Sequence, residues 1–159
     1  MSFWKIYFGS PASRILEASH QGDLKVVRRL LERSPELVRA TNEQFGDTPL
    51  HLAAGMGHAA VAEHLLANKA DIEALNQKGW TPLHLAAGMG HAAVAQLLLL
   101  NKASVNPKDN KGWTPLDRAL SSGNEAVADL LRANQGRVNA VHDSGVTRLN
   151  RAFDARDQV

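Results

Sequence analysis

The stretch TPLHLAAGMGHAAVA, Thr48 to Ala62, recurs without a change from Thr81 to Ala95. The two copies start thirty-three residues apart, and TPLDRAL at Thr114 and TRLNRA at Thr147 keep the same beat. A fixed period in this range marks a repeat array, in which each unit buries its apolar face only against its neighbours. Within a copy, threonine before proline is a helix start: the hydroxyl serves as N-cap, and proline occupies the first turn, where its missing N–H costs nothing. Leu50, Leu52, Ala53 and Ala54 predict a short inner helix, which Gly55 and Gly57 are expected to end. A second helix is expected from about His58 to Asn68, with Val61, Leu65 and Leu66 at helical spacing. The segment from Ala70 to Lys78 then extends to a turn at Gly79.

The bulk composition agrees with this reading. The chain has 159 residues, enough for a sizeable core, with 44% hydrophobic, 21% charged and 5% aromatic residues. The net charge of +2 and the spread of basic residues do not give the footprint of a nucleic-acid binder. Cysteine is absent, which removes disulfides, thiol nucleophiles and cysteine-bound metals together. The N-terminal MSFWKIYFGS is too short for a secretory apolar region, and no apolar run approaches the roughly 20 residues of a membrane helix. A soluble, cytoplasmic protein is the expectation.

GDTPLHLAA (Gly46 to Ala54), GWTPLHLAA (Gly79 to Ala87), the junctions Gly57-His58 and Gly90-His91, and the connection Asn101 to Asn106 all fall in register. On these residues the chain resembles the ankyrin repeat family. The resemblance implies an all-α solenoid of helix-turn-helix units with hairpin loops, four repeats plus a partial fifth. The repeats lie at about residues 13–44, 45–77, 78–110, 111–143 and, in part, 144–155. A single repeat domain thus covers 13–155, between an aromatic arm (1–12) and a tail (156–159). The first repeat aligns Ala18, Gly22, Val26, Leu30 and Leu31 with Ala53, Gly57, Val61, Leu65 and Leu66, with a two-residue insertion around Ser34-Pro35. Its polar helices suit a solubilising end unit. Lys69, Lys102 and Gln135 stand where the family usually has glycine, which implies some backbone strain.

Seven histidines invite a metal reading. Register-related histidines on stacked helices lie about 8–10 Å apart, too far to share an ion whose ligands sit near 2 Å. The resemblance implies instead that His51 and His84 hydrogen-bond around the Thr-Pro turn and tie adjacent repeats, with Asp117 a weaker tie because an ionised carboxylate cannot donate. Dinucleotide, P-loop, zinc-protease and serine-hydrolase motifs are missing. No metal site, catalytic residue or cofactor is assigned.

Binding is expected where the copies disagree. Asp47, Trp80, Trp113 and Val146 share one register position; the tryptophans are either stacking residues or anchors. Met56 and Met89 add adaptable apolar contact, and Ser122 follows in the fourth repeat. The hairpin tips contribute Gln44 and Phe45, Gln77 and Lys78, and Asn110 and Lys111. The expected function is non-catalytic recognition of a partner protein through the concave groove and these tips, by a monomer. Phe3, Trp4, Tyr7 and Phe8 either cover the flank of the first repeat or form a sticky arm for self-assembly. A metal-dependent enzyme is the remaining rival.

Overall fold

The computed structural model describes residues 9–137. The aromatic residues Phe3, Trp4, Tyr7 and Phe8, the partial fifth repeat with Val146, and the tail lie outside this range. Among the described residues eight α-helices run in pairs: α1 (Pro11–Gln21) and α2 (Leu24–Arg33), α3 (Pro49–Met56) and α4 (Ala59–Ala67), α5 (Pro82–Met89) and α6 (Ala92–Leu100), α7 (Pro115–Ser121) and α8 (Glu125–Ala133). A short 3-10 helix, Pro35–Arg39, takes up the insertion in the first unit. There is no strand among the described residues.

Two rows result, an inner row (α1, α3, α5, α7) and an outer row (α2, α4, α6, α8), with each helix packed on the next in its row. The inner row is in the closer contact, because its facing residues are small: Ala53, Ala54, Ala86, Ala87 and Ala119 are all 0% exposed. Leu50, Leu83 and Leu116, then Val61, Val94 and Val127, then Leu65, Leu98 and Leu131, repeat the same three core layers. A row that is tight inside and looser outside bends into a concave face on the inner helices.

Threonines 48, 81 and 114 cap α3, α5 and α7, each accepting from the backbone N–H three residues on, with proline following at the first turn. The helix ends depart from expectation at one point. Gly55 lies inside α3, and Gly57 alone ends it, in the left-handed region at φ 77. A Cβ on Gly55 would meet Leu85 of the next inner helix at 3.8 Å, an ordinary contact, so the helix runs through this position without strain. A Cβ on Gly57 would stand 2.5 Å from His91 Nδ1, so this position needs glycine for both its φ and its neighbour. A second departure is in α2, where Val27 and Leu31 are the residues at 0% and 2% exposure, with Leu30 at 9% and Val26 half-buried. The least exposed pair is one residue later than the aligned Val26 and Leu30, and α2 carries apolar side chains at both settings.

Lys69, Lys102 and Gln135 adopt φ of 64, 66 and 66, the left-handed backbone that the family resemblance implied. For an L side chain this costs roughly 1–2 kcal/mol, partly offset in a glycine variant by the larger entropy of the unfolded chain. Lys69→Gly and Lys102→Gly are each expected to raise the unfolding free energy by about 0.5–1 kcal/mol. The check is a higher urea midpoint at unchanged slope.

Candidate functional site

The hairpins are built first by short polar side chains. Asn42 Oδ1 accepts from Phe45 N (2.9 Å) and Asp47 N (3.1 Å). Asn76 Oδ1 accepts from Lys78 N (2.9 Å) and Trp80 N (3.0 Å), and Asp109 Oδ1 from Lys111 N (2.8 Å) and Trp113 N (2.9 Å). These are Asx turns, in which the side chain replaces a strand partner. Neighbouring hairpins are then joined: Gln77 N donates to Phe45 O (2.8 Å) and Asn110 N to Lys78 O (3.1 Å).

Asp47 and Trp80 occupy one register position but have opposite polarity, and the next hairpin matches each. Asp47 Oδ1 accepts from Asn76 Nδ2 at 2.7 Å, whereas Trp80 Nε1 donates to Asp109 Oδ2 at 2.9 Å. Asp47, Asn76 and Asp109 are 8%, 8% and 6% exposed. Asp47 is therefore a tie between hairpins, set beneath the surface on which it was expected. Burial pushes the Asp109 carboxyl up, but the Arg118 hydrogen bond and the N–H groups of Trp113 and Lys111 outweigh it and hold it below the usual carboxylate range.

Arg118 is the residue between the two tryptophans that the sequence reading did not single out. Its guanidinium lies 4.3 Å from the Trp80 ring centre and 4.9 Å from that of Trp113, with Nη2 on Asp109 Oδ2 at 2.5 Å. Lys78 Nζ lies 4.5 Å from Trp80 and 5.2 Å from Phe45. Phe45, Lys78, Trp80, Arg118 and Trp113 thus form one alternating aromatic–cation ladder along the hairpins. The available signal was the register of Arg118: it takes the place held by Leu52 and Leu85, and by Glu17 in the first repeat.

That register row faces the groove. A concavity of about 620 Å³ is lined by Leu16, Glu17 and His20 of α1, Leu52 of α3 and Glu43 and Gln44 of the first hairpin, among others. One turn further along the inner helices come Gln21, Met56, Met89 and Ser122, all exposed. Met56 is 44% and Met89 63% exposed, and Phe45 39%. Gln44, Gln77, Lys78, Asn110 and Lys111 are exposed at the tips, while Trp80 and Trp113 are half-buried. Leu75, just before Asn76 in the second hairpin, and Leu100, on the outer row, are also exposed.

Beneath the ladder stand the two buried histidines. His51 Nε2 lies 2.8 Å from Trp80 O, and His84 Nε2 2.9 Å from Trp113 O, so each carries its proton on Nε2 and donates across the seam. Nδ1 is then the acceptor, from the N–H of Thr48 (3.2 Å) or Thr81 (3.1 Å). Each histidine thereby completes a capping box and ties the following unit. Asp117 keeps the capping half of this role, accepting from Thr114 N at 2.8 Å, and the Thr114 hydroxyl reaches Arg137 O at 2.8 Å. On the opposite end of the inner helices, His58 bonds to His20 O, His91 to Gly55 O and Asn124 to Ala87 O and Gly88 O.

The family model for ankyrin repeats in three copies matches residues 15–109 and again 60–142. The chain belongs to the ankyrin repeat family. Over 74 residues this ankyrin repeat chain is 38% identical to the probable E3 ubiquitin-protein ligase XBOS32 of Oryza sativa subsp. japonica and 34% identical to the E3 ubiquitin-protein ligase XBAT32 of Arabidopsis thaliana. The match covers 45% of this chain but only 15% of the length of either relative. Among the described residues no ankyrin helix is long and apolar enough to cross a membrane, and no group of three or more His, Cys, Asp or Glu is placed to hold a metal.

Proposed function

We propose that the chain is a non-catalytic recognition module that binds a partner protein on its groove face, between the inner helices and the hairpin tips. The observation that carries this reading is the ladder beside exposed Met56 and Met89. It is a continuous surface of aromatic, cationic and polarizable apolar groups, held in place by the buried Asp47–Asn76 and Trp80–Asp109 bonds. A surface ordered before binding loses little conformational entropy in the complex, so a few anchors give useful affinity. The residues we assign to it are Gln44, Phe45, Met56, Gln77, Lys78, Trp80, Met89, Asn110, Lys111, Trp113 and Ser122, with Arg118 added and Asp47 acting from beneath. The relatives named as ubiquitin-protein ligases favour an adaptor form of this role, in which the array brings a bound protein to an activity carried elsewhere.

Trp80→Ala with Trp113→Ala is a blunt test, because both rings also pack on Arg118. Met56→Glu with Met89→Glu is the cleaner test, since Met56 is 44% and Met89 63% exposed and neither belongs to the buried core. Proteins captured from the source cell by the native chain should bind the double variant more than tenfold more weakly, with its helical circular dichroism unchanged. Leu100→Glu, on the outer row, serves as the control and should leave capture intact. Equal capture by the native chain and the methionine variant would move the site off the groove.

A further inference from the structure

Gln44, Gln77 and Asn110 share one register position at the hairpin tips, and all three carry a carboxamide. Two of them reach back twice to the preceding hairpin. Gln77 donates from its backbone N–H to Phe45 O at 2.8 Å and from Nε2 to Glu43 O at 3.4 Å. Asn110 donates from its backbone N–H to Lys78 O at 3.1 Å and from Nδ2 to Gln77 O at 2.9 Å. Gln44 has the same two donors and is exposed, but neither donor meets a described residue. No hairpin precedes it among the described residues. In its place α1, capped by Ser10, starts about one turn earlier in register than the other inner helices. Between Ser10 and Gln44 lies the concavity of about 620 Å³, with Leu16 and Leu52 in its lining.

We propose that residues 3–8 of this same chain, FWKIYF, dock in that concavity and stand as the missing neighbour of the first hairpin, their main-chain carbonyls accepting from Gln44. The chain enters α1 through Ser10, on the rim of the concavity, and six extended residues reach about 20 Å, ample to pass the hairpin tip. Phe3, Trp4, Ile6, Tyr7 and Phe8 bring apolar area to Leu16 and Leu52, and burial of large aromatic rings is the main gain of such a contact. Lys5 is the one charged side chain in the segment, and the concavity presents Glu17 and Glu43 with no lysine or arginine in its lining. The mode is that of an extended segment added to an open edge: main-chain bonds hold it and side-chain contacts select it. The docking stands apart from the groove assignment. With the groove as the binding face, the arm closes its first-repeat end, and a partner that uses Gln44 has to displace the arm.

Amide hydrogen exchange, followed residue by residue by NMR on the full chain, tests this without any partner. The comparison is a full-length variant carrying Phe3→Ser, Trp4→Ser, Tyr7→Ser and Phe8→Ser. The Gln44 N–H should exchange about tenfold or more slowly in the native chain than in the variant, while Gln77 and Asn110 keep the same rates in both. Equal exchange at Gln44 in the two chains overturns the docking. Faster exchange at Gln77 and Asn110 as well as at Gln44 overturns the local pairing, because the arm would then act on the whole array. Slowing at Gln44 that vanishes on dilution, with light scattering giving a dimer at the higher concentration, overturns it in favour of the arm of a second copy. None of these results bears on the methionine test of the groove, so the two readings fail separately.

Discussion

A His84→Ala chain is expected to unfold with a free energy about 3–4 kcal/mol below that of the native sequence. His84 is 1% exposed, so the truncation leaves a cavity in a tightly packed seam. It also strands the buried Thr81 N–H that Nδ1 accepts, and it removes one of two donors to the Trp113 carbonyl, which keeps the Asp109 N–H at 2.9 Å. An unpaired buried group costs about 1–3 kcal/mol, which is why the effect exceeds the worth of the bonds themselves. His64 gives the contrast. It is half-buried on the outer row and contacts Asn68 at its own helix end, so His64→Ala should cost less than about 1 kcal/mol. Urea unfolding followed by circular dichroism measures both. Because each repeat is held only by its neighbours, the His84 change should also split the transition, with the last repeats melting first. A single sharp transition shifted by less than 1 kcal/mol would contradict this account of the seam.

The same geometry makes the fold acid-sensitive. Burial lowers the pKa of His51 and of His84 below the ordinary 6.5; backbone bonds to Trp80 and Trp113 and the nearby carboxylates only partly offset it. Asp47 and Asp71 face His51, while Asp109, Asp117 and Arg118 face His84. Protonation would place a hydrogen on Nδ1 against the Thr48 or Thr81 N–H, so the folded state keeps both rings neutral. The unfolded chain binds these protons at about 6.5 and the folded chain only at lower pH. Stability from this source is therefore complete above 6.5, and it falls with pH from there down to the lowered folded values. The slope approaches about 1.4 kcal/mol per pH unit for each histidine. Unfolding free energies measured between pH 8 and 5 should show this decline. A His51→Asn, His84→Asn chain should be less stable at pH 8 and show a shallower decline. An equally steep decline in that variant would place the acid sensitivity elsewhere.

Much of this was legible in thirty-three-residue spacing. Threonine, proline and histidine recur together, so the caps, the inner row and the seams follow from one reading of one copy. Gly55 was misleading because two glycines two residues apart both look like a helix end. Only the left-handed φ of Gly57 and its close approach to His91 distinguish them. Asp47 looked like a surface charge, and nothing local shows that Asn76, twenty-nine residues later, covers it. Arg118 was hidden differently. Attention to the position before the threonine found the tryptophans, whereas their contact comes from a helix position where two leucines had set the pattern. In α2, Val26 with Leu30 and Val27 with Leu31 offer two apolar stripes, and the sequence contains no rule for choosing between them.

The seams share one further property. Wherever a histidine crosses from one repeat to the next, the group it meets belongs to the main chain: Trp80 O for His51, Trp113 O for His84, Gly55 O for His91. A main-chain carbonyl is present whatever residue carries it. The helical part of the unit can therefore be copied without a compensating change in its neighbour, whereas the hairpin pairs Asp47–Asn76 and Trp80–Asp109 have to change together. Word-for-word duplication of fifteen residues is tolerated by this arrangement, as it would not be if the histidine contacts were pairs of matched side chains. Array length and surface chemistry are consequently free to change independently during evolution, the first by copying helix pairs and the second by single substitutions along the groove.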